Sequence, residues 1–215
     1  MYKQLNILSV SDVHLGHTNC PTEHIIDRLD KMITAEQLVT IDLLLIAGDF
    51  FDSLLQLSDH EVGKIINYIG RLLVLVEKTD TALRVLKGTP SHDWDQNELF
   101  VTINNLMTSP ADVKYVDKLD IVYEERFGVN CLYVPDEWRN ECSTTLAEVK
   151  QMMVDKGLKK VHYAFMHGMM DYQVPEHFNI DCHDSEEYLK LVSNEIFIGH
   201  YHDPSKHDRI HVQGS

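Results

Sequence analysis

Positive charge is scarce in this chain. Its 215 residues carry 19 Lys and Arg against 34 Asp and Glu, a formal net charge of −15. A surface of that sign repels polyanions, which excludes a nucleic-acid grip built on the chain's own basic surface. If such a chain handles phosphates, it needs cations at the site, a basic partner or a small substrate. Long apolar runs are missing too. No stretch reaches ~18 apolar residues, so no membrane-spanning helix is expected. The opening Met1-Tyr2-Lys3-Gln4-Leu5-Asn6 lacks signal-peptide architecture and leads straight into a strand-like run. Paired cysteines are absent as well: Cys20, Cys131, Cys142 and Cys182 lie far apart, with no C-x-x-C. Free thiols in a reducing, cytoplasmic setting are the expectation.

What remains is an ordinary folding composition, 44% hydrophobic and 25% charged, with one abundance, 13 histidines. The length suits one domain over residues 1–215. Histidine in that number is most often surface scatter, but it is also the commonest transition-metal ligand.

Short apolar runs alternate with amphipathic stretches. Buried strands are expected at Leu5–Val10, Leu43–Ala47 and Leu83–Leu86. Further strands are expected near 112–116, 120–124, 129–134, 161–166, 195–199 and 209–213. Helices are expected at 22–39, 59–77, 96–107 and 143–156. The 59–77 segment places Val62, Ile65, Ile66, Ile69, Leu72, Leu73 and Val76 at helical spacing, one core-facing stripe. Alternating β and α in the first half implies α/β layering.

Five Asp/His clusters each follow an apolar strand. The first is Ser11-Asp12-Val13-His14-Leu15-Gly16, whose Asp and His two apart can face one metal. The second is Gly48-Asp49-Phe50-Phe51-Asp52, which sets two carboxylates at a strand's C-terminal end, where α/β sheets bind ligands. Then come Gly88-Thr89-Pro90-Ser91-His92-Asp93, His167-Gly168 and Gly199-His200-Tyr201-His202. Any one alone is weak evidence. Strand ends on one sheet edge converge in space, so five together point to a metal site.

In this order the clusters resemble the signature of calcineurin-like metallophosphoesterases: D-x-H, G-D-x-x-D, a G-N-H-[DE]-like motif, H, and G-H-x-H. Asp12–Gly16 and Gly48–Ser53 look like the SbcD-type nucleases of double-strand-break repair, which also occur in phages. Val134-Pro135-Asp136-Glu137 is similar to a proline-containing strand end in such nucleases. The resemblance implies a four-layer α/β/β/α sandwich with two metals at its edge. One metal would take Asp12, His14, Asp49 and His202. The second would take Asp49, His167, His200 and the residue in the family's Asn position. His92 would act at the scissile phosphate, with Asp52 orienting it. Two divalent ions are implied, Mn2+ first, with Fe or Mg2+ as other options.

This chain departs from the family at one place. Two residues are inserted in the third motif, so that Ser91 stands where the Asn amide is expected. Ser91 then coordinates weakly, or a water fills the place, or the lengthened loop supplies another oxygen. A weaker second metal site is expected.

The resemblance implies a metal-dependent DNA nuclease in recombination and repair, with exonuclease and endonuclease activity and an SbcC-like ATPase partner. A small-molecule phosphodiesterase or phosphatase uses the same site, and a degenerate DNA- or partner-binding module is the third reading. A homodimer through the helices near 59–77 and 96–107 is expected. His177 and His183, in the irregular stretch 171–184, are candidates for a cleft rim, and Trp94 for stacking on a base or sugar. SbcD-type nucleases usually continue into a DNA-capping domain where this chain reaches His211-Val212-Gln213-Gly214-Ser215, so a natural minimal nuclease or a truncated core is the expectation.

Overall fold

Alternate burial along the strands decides which layer each side chain joins. In the computed structural model, which describes residues 4–56, 60–137, 141–175, 177, 178 and 180–215, the elements run as follows. The first half holds β1 (Ile7–Val10), α1 (Thr22–Met32), α2 (Ala35–Leu38), β2 (Leu43–Ala47), α3 (Val62–Lys78), β3 (Ala82–Leu86), α4 (Pro90–Asp93), α5 (Glu98–Asn105) and β4 (Val113–Val116). The second holds β5 (Asp120–Glu124), β6 (Val129–Val134), α6 (Cys142–Asp155), β7 (Tyr163–His167), α7 (Ser185–Leu191), β8 (Ile196–Gly199), β9 (Ser205–His207) and β10 (Ile210–Val212).

The strands form two sheets. The first is parallel throughout, in the order β1-β2-β3-β4. The second runs β5-β6-β7-β8-β10-β9, with antiparallel strands only at its two edges. In β2, Leu43, Leu45 and Ala47 enter a core shared with Tyr163 and Phe165 of β7. The intervening Leu44 and Ile46 turn the other way, onto α1, α3 and α5. In β7, Ala164 and Met166 likewise turn outward, onto Val149 and Met153 of α6 and Tyr188 of α7. The result is helix, sheet, sheet, helix: the four-layer α/β/β/α sandwich.

One polar exception lies between the sheets. Arg84 of β3 donates Nε to Glu124 Oε1 at 3.0 Å and Nη2 to Oε2 at 2.8 Å, and the Tyr133 hydroxyl donates to Oε1 at 2.7 Å. Asp112 takes a further Arg84 bond at 2.9 Å. The paired charges are satisfied on all sides, as burial requires.

Several boundaries differ from the sequence reading. The 22–39 helix is two helices, because Thr34 leaves helical backbone and forms a capping box with Gln37. The 59–77 helix begins at Val62 and its Asp59 lies outside the described residues; Ile66 of its apolar stripe is 39% exposed while Tyr68 is buried. The stretch 171–184 holds a short 3₁₀ turn, Asp171–Gln173, and α7 follows it unanticipated by apolar spacing. The four cysteines are free thiols. Among the described residues no helix is long and apolar enough to cross a membrane.

Candidate metal centre

Parallel registers bring the five clusters to one edge. Val10 pairs with Ile46, Ala47 with Leu86, and His167 with Gly199, so β1, β2, β3, β7 and β8 all deliver their C-terminal ends there. The first two loops are then zipped together by backbone bonds: Asp12 N–H to Gly48 O at 3.1 Å, His14 N–H to Asp49 O at 3.1 Å and Leu15 N–H to Phe50 O at 2.9 Å. Close approach demands glycine. A Cβ on Gly48 would overlap the His167 ring, and one on Gly88 would overlap Asp49.

Among the described residues, three groups of ligand atoms form at this edge, each within 4.8 Å internally: Asp12, His14 and His202; His14, Asp49 and His92; Asp49, His167 and His200. Asp12, His14, Asp49 and His200 all have positive φ, at 52°, 52°, 50° and 100°. Non-glycine residues resist that region, and such strain collects where function needs side chains aimed inward.

Buried polar atoms at the edge want a partner. Among the described residues, Asp12 Oδ1 and both ring nitrogens of His14 are buried without a hydrogen bond. Asp12 Oδ2 accepts the His200 N–H at 2.9 Å, while Oδ1 faces His202 Nε2 at 3.7 Å. Unpaired carboxylate and imidazole atoms converging in a buried place fit a divalent cation.

Asp49 sits at the centre. Its carboxylate meets His92 Nδ1 at 2.9 Å and lies 3.4 Å from His167 Nε2. Burial alone would raise its pKa, but bonding and charge from His167, with His92 and the Thr89 N–H, hold it well below the usual carboxylate range. Burial would lower His167, yet Asp49 overrides it and pushes it up to about 9. The Ala47 carbonyl can only accept, so His167 Nδ1 donates to it at 2.8 Å and Nε2 is turned to the centre. His14 and His200 go the other way, lowered chiefly by burial.

The third motif folds differently from its sequence reading. Ser91 is exposed in α4 and is not brought to the cluster. The oxygen that arrives is the Thr89 hydroxyl, 3.1 Å from Asp49 Oδ2, 3.3 Å from His167 Nε2 and 3.4 Å from His200 Nδ1. Thr89 directly follows Gly88, while Ser91 lies two residues further on, in the α4 turn. Asp52 also moves: it lies 3.4 Å from His14 Nδ1, and the partner of His92 is Asp49.

Asp93 is a residue whose role the sequence reading missed. It is fully buried and accepts backbone N–H from Asp49 at 3.0 Å, Phe51 at 3.1 Å and Gly88 at 2.7 Å. It ties the second and third loops together. His183 is buried rather than on a rim, against Gly168 and the Tyr188 ring, and burial lowers its pKa to about 4. His177 is exposed.

No family profile matches the sequence. Two solved structures match across nearly the whole chain. The protein TT1561 of Thermus thermophilus matches with a TM-score of 0.54 at 11% identity, over 98% of this chain and 90% of its own. Another matches with a TM-score of 0.53 at 11% identity, over 96% of this chain and 88% of its own. The Pseudomonas putida nuclease MPE reaches a TM-score of 0.37 at 16% identity, over 91% of this chain and 61% of that one, too low to argue fold or function from. At these identities the likeness is one of fold alone.

Proposed function

We propose that the chain is a metal-dependent phosphodiester hydrolase acting on DNA. The observation that carries the hydrolase reading is the run of three ligand groups linked through His14 and Asp49, the middle one including His92. Asp12, His14, Asp49 and His202 would hold one divalent ion; Asp49, Thr89, His167 and His200 would hold the other. Two adjacent divalent ions supply Lewis acidity and a nucleophile from water near neutral pH. Mixed carboxylate and imidazole donors suit manganese, with iron or magnesium as competitors.

The protein's own groups do the rest. Hydrolysis adds water across one P–O bond: the water oxygen bonds to phosphorus and the ester oxygen leaves. His92 is partly exposed, with Nδ1 bonded to Asp49, which leaves Nε2 to give a proton to the departing oxygen. Asp93 keeps Asp49 and the His92 turn in register without meeting substrate. No side-chain nucleophile is required.

The reading extends to an SbcC-like ATPase partner, since a chain of net charge −15 gains by borrowing a basic surface. Cleavage of defined DNA duplexes in Mn2+ by the wild type and His92→Ala tests the core of it. The variant should lose a factor of about 10²–10⁴ in kcat. Equal rates would remove His92 from the chemistry, and activity on small phosphoesters alone would replace DNA with a small substrate. Retained DNA binding without hydrolysis would leave a degenerate binding module.

A further inference from the structure

Beside the metal cluster runs an apolar groove of about 480 Å3 between the N-terminal ends of α3 and α5. Leu54, Leu55, Ile65, Ile66, Trp94 and Leu99 line it. Two loops join it to the cluster. One carries Asp52, next to His14, and two and three residues later Leu54 and Leu55. The other carries His92 and, two residues later, Trp94. Gln96 locks them together, accepting the Leu55 N–H at 2.7 Å and donating to the Ser53 carbonyl at 3.0 Å. Two residues of chain span at most ~7 Å, so groove and cluster are neighbours.

Trp94 is held for display. It is 49% exposed, and its indole N–H donates to the Ser91 carbonyl at 3.1 Å. Its backbone sits at φ 49° and ψ −128°, a conformation bulky residues avoid. A tryptophan needed only for packing has no reason to be half in water on a strained turn.

We propose that this groove takes the nucleobase next to the phosphate held at the metal cluster, with the Trp94 indole against its face. The inference rests on the phosphodiester reading above and names the part of the substrate that site recognises. Charge selects the occupant. Glu98 also lines the groove and turns away a phosphate, whereas Lys87 already pairs the Asp95 carboxylate at 2.8 Å. Phosphate is admitted only where cations sit, and the neutral aromatic part of the nucleotide lies alongside. Stacking of this kind tolerates every base.

The test uses Trp138→Phe protein, in which Trp94 is the one remaining indole. With Mn2+ present it is titrated with deoxyadenosine 5′-monophosphate, deoxyribose 5-phosphate and inorganic phosphate. The nucleotide should quench the Trp94 emission and bind about tenfold more tightly than the sugar phosphate. By calorimetry, Trp94→Ala should lose that difference and Trp94→Phe should keep most of it. Equal affinity for nucleotide and sugar phosphate, or a preference that survives Trp94→Ala, overturns the base site while Mn2+-dependent phosphate binding still stands. Emission that follows protein concentration and not nucleotide also overturns it, and makes the groove a contact between copies. Binding of all three ligands that ignores Mn2+ removes the metal reading and the base site together.

Discussion

At the scale of single residues, the centre depends on which oxygen closes the second ligand group. Thr89 brings a hydroxyl within 3.1–3.4 Å of Asp49, His167 and His200, while Ser91 faces solvent. A neutral hydroxyl is a poorer ligand than an amide oxygen, so the second ion should bind more weakly than the first. Thr89→Asn supplies an amide oxygen and should tighten it, and Thr89→Val should loosen it, each by about tenfold, as ligand-shell changes do. Ser91→Ala should leave both affinities unchanged. Manganese titration by calorimetry reads all three, and sensitivity at Ser91 with indifference at Thr89 would reverse the assignment. The convergence of Asp12, His14, Asp49, His167, His200 and His202 at one edge was legible because each follows a buried strand at fixed spacing. Thr89 was not, because an insertion has no visible address until the loop is folded. Asp93 was not, because its partners are backbone N–H groups that no side-chain motif encodes.

At the scale of elements, strands were read well because buried parallel strands are short, continuous apolar runs. Helices were read less well where stripes are short. The break at Thr34 follows from a capping box, T-x-x-Q, that the apolar periodicity runs through unmarked. Helix α7 has too few turns for a periodic signal, and its Asp184 cap, accepting from the Glu187 N–H at 2.9 Å, is its clearest mark. The two sheets are pinned by a contact the pattern could not show, Arg84 of β3 on Glu124 of β5. Arg84→Met leaves the Glu124 carboxylate buried without that partner and should destabilise by about 3 kcal/mol or more in urea unfolding. Burial would raise the Glu124 pKa, but the Arg84 bonds and charge lower it from 4.5 to about 2. The sign follows from that depression: the carboxylate stabilises the fold fully above pH 4.5, and its contribution is lost as pH falls toward about 2. Wild-type stability should therefore drop across that window more steeply than that of Glu124→Gln. Parallel pH curves for the two proteins would assign acid sensitivity elsewhere.

At the scale of the whole molecule, a chain of net charge −15 gathers a set of carboxylates and imidazoles at one sandwich edge. The helical layer of α3 and α5 offers a further surface. Val74 of α3 and Leu106 beyond α5 are exposed, at 39% and 83%. If the expected homodimer forms through this layer, light scattering should give about twice the chain mass of 24.8 kDa, a value that Val74→Glu with Leu106→Glu should halve. A monomer at the outset would leave those residues as scattered surface. Everything functional still turns on whether the edge holds two ions. His167, raised to about 9, is protonated near neutral pH and must release that proton to bind one. The measurement closest to the claim is a metal count on chelator-stripped protein reloaded with Mn2+. Wild type should hold two ions per chain, one tighter than the other, and Asp49→Ala should weaken both. A single ion, or two that ignore the loss of Asp49, would contradict a two-metal centre.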